Sequence, residues 1–166
     1  EIPSNYTFFY NTYKKASNPN KKKIKFNNKI IHQSRLLNYF SNDMDSEKVE
    51  KELEKTLKKI KKNKKYYFST RDIIVVESLI SDGIKVSDKY SSLFELDQSN
   101  IPTDIEVMLS DGEMAMILLR LVEIIGEDDL INLGSESLYF IISTLNKLNI
   151  DKIRNSIILK VLPLKV

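Results

Sequence analysis

The 166-residue sequence has no cysteine and a single histidine, His32. Without thiols there is no disulfide framework, no thiol nucleophile and no cysteine-ligated zinc or iron–sulfur centre. One histidine cannot build a multi-histidine zinc site, and it confines any Ser-His-Asp arrangement to His32 itself. Four glycines and four prolines are few for a turn-rich β-sandwich and fewer still for a phosphate-cradling loop. None of the G-x-G-x-x-G, P-loop, G-x-S-x-G or H-E-x-x-H patterns occurs. No catalytic residue, cofactor or metal is therefore expected. No apolar run approaches the roughly 18–20 residues of a membrane span. The first residue is Glu1 rather than Met, which fits either a removed leader or a fragment boundary. The expectation is a soluble chain, cytoplasmic or, after export, periplasmic.

What is present is ordinary for a globular protein: 42% hydrophobic and 30% charged residues. The length fits one domain or one piece of a longer array. Lysine (22), isoleucine (21) and asparagine (14) are abundant together and arginine (4) is rare, a bias that an A+T-rich genome also produces. The placement of charge is more telling. Residues 1–71 carry 18 basic against 7 acidic residues, and residues 72–166 carry 8 against 16. Such asymmetry points to an anionic partner, or to two halves that attract each other.

Apolar spacing predicts helices. Residues 4–16 form a candidate first helix, and Pro19 amid Asn, Ser and Lys marks 17–28 as a loop. Ile30, Leu37 and Phe40 predict a helix over 29–40. Asp45 caps a helix over 46–62, with Met44 and Val49 as a hydrophobic staple and a thin stripe of Val49, Leu53, Leu57 and Ile60. Ser69 and Asp72 form a capping box for a helix ending at Ser81, before Gly83. Residues 84–101 are looser, with one turn near 91–96. Helices follow over 103–110, 113–125, 136–148 and 152–162, separated by Gly112, Gly126 and short polar breaks. The pairs Ile30-Ile31, Ile73-Ile74 and Met116-Ile117 recur every 43 residues, within the period of helical-hairpin repeats. The expected architecture is all-α: an irregular helical array or α-solenoid of about seven helices. Residues 1–28 are expected to be its loosely ordered segment and 29–166 one domain, with 113–162 as its most compact part.

The segments MILLRLVEIIGEDDL and LYFIISTLNKLNIDKIRNSIILKVLPLKV, in a stretch of roughly residues 114–166, resemble the C-terminal end of uncharacterised bacterial α-helical, solenoid-like proteins. The resemblance implies the capping end of a helical solenoid and a longer parent chain, and it carries over no functional residue.

Four features could carry function. His32 lacks a nucleophile at a useful helical spacing, since Ser34 points elsewhere, and reads as a half-buried or surface histidine. Arg120 and Glu123, three apart in an apolar helix, read as a structural ion pair. Glu127-Asp128-Asp129 lacks the alternate ligand positions of a calcium loop and reads as a solvated turn. Lys58, Lys59, Lys61, Lys62, Lys64 and Lys65 followed by Tyr66 and Tyr67 are the most suggestive interaction motif, because lysines neutralise phosphates and tyrosines stack on bases. The same lysines also suit a helix C-terminus. The leading expectation is a non-catalytic interaction module with a protein partner. Nucleic-acid or polyanion binding through residues 14–71 is the alternative, and an enzyme ranks third.

Overall fold

A computed structural model describes residues 26–94, 101–126 and 129–163. The expected helix at 4–16, nearly all of the loop at 17–28 and the acidic pair Glu127-Asp128 lie outside the described residues. Among the described residues the fold is all-α, with no strand. Six α-helices, α1 Ser46–Lys62, α2 Thr70–Ser81, α3 Thr103–Asp111, α4 Met114–Ile125, α5 Ser135–Lys147 and α6 Asp151–Val161, are accompanied by four short 3₁₀ segments.

Local chemistry sets several boundaries. The Asp45 side chain accepts from the Lys48 amide at the start of α1. Ser69 and Asp72 cap α2 reciprocally: the Asp72 amide donates to Ser69 Oγ, and the Ser69 amide donates to the Asp72 carboxylate. Gly83, at φ +83°, ends α2 in the left-handed conformation, and the Ile84 amide returns to the Leu79 carbonyl. Asn149, at φ +54°, serves the same purpose after α5, since asparagine tolerates that region better than other side chains do.

One expected helix is reshaped. Residues 29–40 form two 3₁₀ segments, Ile31–Gln33 and Arg35–Tyr39, hinged at Ser34 in extended conformation. The Ser34 hydroxyl donates to the Ile31 carbonyl and accepts from the Leu36 amide, so it ends one turn and caps the next. A serine competing with the backbone in this way breaks a helix that apolar spacing alone predicts.

The core is built around α2. Asp72 through Val76, Ser78 and Leu79 are all buried, so the helix is covered nearly all round, as an element in the middle of a fold must be. It lies chiefly against α5 and the first 3₁₀ segment, while α6 closes on α5. Val49, Leu53, Leu57 and Ile60 bury the stripe of α1 in the same core.

Two expectations meet a different arrangement. Helix α4, apolar enough to suggest a place in the compact unit, packs mainly on α3 rather than along α5. Only Ile117 and Leu121 of its twelve residues are buried. The pairs spaced by 43 residues open unlike elements: a 3₁₀ turn, the buried α2 and the peripheral α4.

Candidate functional site

His32 and Asp72, forty residues apart, meet at 2.7 Å through Nδ1 and Oδ1. The carboxylate also accepts from the His32 amide, the Tyr66 hydroxyl, the Ser69 amide and the Ser69 hydroxyl, all at 2.9–3.0 Å. Because the carboxylate can only accept, the proton must sit on His32 Nδ1. Burial pushes the Asp72 carboxyl up, but hydrogen bonds from the His32 side chain and from the His32 and Ser69 backbone outweigh it and hold the group below its ordinary value.

The trio Ser69, His32 and Asp72 is not arranged for nucleophilic catalysis. A base that activates serine meets its carboxylate through one ring nitrogen and the hydroxyl through the other. Here Ser69 Oγ lies 3.4 Å from the same Nδ1 that meets Asp72, and it donates to Asp72. The other nitrogen, Nε2, faces the Gln33 side-chain amide at 3.4 Å. The constellation caps α2 and ties it to the 31–33 turn.

A second buried polar centre escaped the sequence reading. Arg154 is 0% exposed. Its guanidinium donates to both Asp82 oxygens, to Asn146 Oδ1 and to Asn155 Oδ1, and it pairs with Asp151 at 3.1 Å. The signal for it lay in the α6 spacing, where position 154 falls on the apolar face with Ile150, Ile157, Ile158 and Val161. Beside this network lies an open cleft of about 760 Å³ with a polar rim, including Asn42, Asp45, Asp82, Asn149 and Asp151. Arg154 does not line the cleft, and among the described residues no buried side-chain nitrogen or oxygen lacks a hydrogen-bond partner. Among the described residues no group of histidine, aspartate or glutamate side chains is placed to hold a metal ion.

The predicted Lys/Tyr motif divides. Lys58, Lys59, Lys61, Lys62, Lys64 and Lys65 are exposed at the end of α1 and in the loop after it, and Tyr67 is 86% exposed. Lys61 reaches the Lys89 carbonyl. Tyr66 faces inward: its hydroxyl donates to Asp72 and accepts from the Ile31 amide, and its ring packs edge-on against Phe68. Burial is the main cause that raises the Tyr66 phenol above its ordinary pKa.

The α3–α4 pair carries the largest concentration of exposed apolar side chains. Nine large hydrophobic residues are exposed among those described, and six belong to this pair: Val107, Met114, Met116, Leu119, Val122 and Ile124. Arg120 joins Glu123 at 3.0 Å and reaches Asp104, at the start of α3, at 3.3 Å. The Asp104 contact, between two exposed side chains, spans the two helices.

Compared with protein-family models, with curated proteins and with solved structures, the chain has no match in any of the three.

Proposed function

We propose that this protein is a non-catalytic helical interaction module, and that the exposed face of α3–α4 is where it meets another protein. The observation that carries the reading is the clustering of six exposed large hydrophobic residues on 24 consecutive positions, 103–126. Single exposed apolar residues are normal, whereas several gathered on one pair of helices favour an interaction surface. Leu119 is 59% and Val122 62% exposed, so both give up most of their contact with water when a partner covers them. The arrangement of Ser69, His32 and Asp72 as a helix cap supports the same reading over an enzyme. So does the resemblance of residues 114–166 to the ends of solenoid-like proteins, because a helical array can present broad faces without any catalytic residue.

Selection from a displayed peptide library tests the proposal, with parallel selections on the whole chain and on its Leu119→Gln/Val122→Gln variant. Peptides that bind the parent and not the variant are expected. Binders indifferent to the substitutions would overturn the assignment of the face.

One observation favours a second reading, polyanion binding. Lys58, Lys59, Lys62, Lys64 and Lys65 are exposed and have no ion pair among the described residues, and the exposed Tyr67 ring stands beside them. A single-stranded oligonucleotide should then bind with an affinity that falls steeply as salt rises, through counterion release. Tyr67→Ala should weaken binding by removing a stacking surface. No binding at low salt would dispose of this reading.

A further inference from the structure

The chemistry around the apolar face narrows the partner, an inference that rests on the interaction reading above. We infer that the α3–α4 surface takes a cationic amphipathic helix of another protein.

The apolar part has helical spacing. Met116, Leu119 and Val122 follow at three-residue steps and fall within about a third of the circumference of α4. Val107 on α3 and Met114 at the start of α4 add to the exposed apolar area. Side chains in rows three and four apart form ridges, and the ridges of a second helix fit between them. Two unbranched thioethers, Met114 and Met116, can adjust to the shape of what arrives. A helical surface offers no open backbone edge, so strand addition is not available to a partner here.

The charged part sets the sign. Six ionisable residues lie between 103 and 126, and five are acidic: Asp104, Glu106, Asp111, Glu113 and Glu123. The one base, Arg120, is already held by Asp104 and Glu123. Glu106, Asp111 and Glu113 are exposed and have no ion pair among the described residues. A partner bearing Lys or Arg beside an apolar stripe meets both features at once. Complementary charge speeds encounter and rejects acidic competitors. A second copy of the chain is a poor occupant, because a symmetric pairing would set the same acidic surface against itself.

The experiment uses the full chain, which contains no tryptophan, so the emission of a tryptophan-bearing peptide reports binding directly. Three synthetic helical peptides share one Leu/Trp stripe and differ only in polar positions, filled with Lys, Gln or Glu. Each is titrated against the parent, the Leu119→Gln/Val122→Gln variant and the Glu106→Gln/Asp111→Asn/Glu113→Gln variant, with circular dichroism confirming that each variant folds. The Lys peptide is expected to bind most tightly. The apolar substitutions should weaken it by about tenfold or more, the scale of a lost interface anchor. The acid-to-amide substitutions should close the gap between the Lys and Gln peptides. If all three peptides bind alike and still depend on Leu119 and Val122, the cationic partner is overturned while the interaction module stands. If no peptide binds, or none responds to the apolar substitutions, both fall. A concentration-dependent dimer in sedimentation that Leu119→Gln/Val122→Gln abolishes would replace the cationic helix with a second copy as the occupant.

Discussion

Arg154 and Asp82, 72 residues apart, are joined by two parallel hydrogen bonds, Nη1 to Oδ1 at 2.8 Å and Nη2 to Oδ2 at 2.7 Å. Asp82 ends α2 and Arg154 sits in the second turn of α6, so one guanidinium links the central helix to the last. A fully buried cation is tolerable only because four side chains complete its hydrogen bonding. Removing it leaves the Asp82 carboxylate without its cation, so Arg154→Ala should cost about 3–5 kcal/mol of unfolding free energy. Arg154→Lys should recover little, since an ammonium cannot reproduce the planar two-point contact. Urea denaturation checks both, and a loss below about 1 kcal/mol for Arg154→Ala would contradict the account.

Asp72 should govern acid stability. Its folded pKa is depressed by the His32 and Ser69 bonds despite burial. The stability it contributes is therefore complete above the ordinary carboxylate value of about 3.9. It is lost as pH falls through the lower, folded value. Asp72→Asn should cost about 1–3 kcal/mol at neutral pH, the range for stranding buried polar partners. The gap between variant and parent should close as acid is added. A gap that stays constant from neutrality to pH 3 would be incompatible with this role.

Glu77 should do the opposite. Burial raises its pKa, only partly offset by the hydrogen bond that the Tyr139 hydroxyl donates to it at 3.3 Å. Burial and the neighbouring Glu77 in turn push the Tyr139 phenol up to about 12. A carboxyl with a raised folded pKa imposes no penalty below the ordinary value of about 4.3. It destabilises increasingly as pH rises through the folded value. Glu77→Gln keeps an acceptor for Tyr139 and removes the charge, so its melting temperature should exceed the parent's at pH 8 and match it at pH 4. Equal melting temperatures at both values would refute the assignment.

The adjacent tyrosines should behave differently. Tyr66→Phe deletes a hydroxyl shared by Asp72 and the Ile31 amide and should cost about 1–3 kcal/mol. Tyr67→Ala changes an exposed ring and should stay within about 0.5 kcal/mol of the parent. Thermal denaturation of the two variants side by side decides. Equal losses would mean that Tyr67 also serves the scaffold.

Hydrogen exchange should rank the helices by burial. Amides of α2 and α5, at the centre of the core, should be protected longest, and those of α3 and α4 should exchange earlier. Local opening needs little when few apolar contacts are lost, and the two peripheral helices bury only Ile105, Ile117 and Leu121. Protection in α4 equal to that in α5 would show that the pair is held more firmly than its burial implies.

Much of the local structure was legible in the sequence because its causes are local. Asp45, Ser69 with Asp72, Gly83, Gly112 and Gly126 act on backbone groups within a few residues, so the caps and stops of the helices can be located without any knowledge of packing. The break at Ser34 was less legible, since the apolar spacing of 29–40 fits a helix equally well. Its turns are held by a serine bonding to its own backbone and by His32 reaching Asp72. Of the candidate interaction motif, the sequence shows the lysines and both tyrosines but not that one tyrosine turns inward.

What the sequence by itself determined, then, is an all-α chain with its helix ends, its uneven charge and its lack of catalytic chemistry motifs. Only the tertiary structure decided which apolar helix is buried. The helices α2 and α4 are both strongly apolar, and nothing in their periodicity says which one lies against α5. Burial depends on which distant surfaces the folded chain brings against a helix: α2 meets α5 and the 31–33 turn and carries the Arg154–Asp82 link at its end. α4 keeps Met116, Leu119 and Val122 in water. The same long-range logic turned Arg154 from one of four scattered arginines into a buried tie between helices, because Asp82 and Asn146 reach it from other elements, which only the folded chain brings to it.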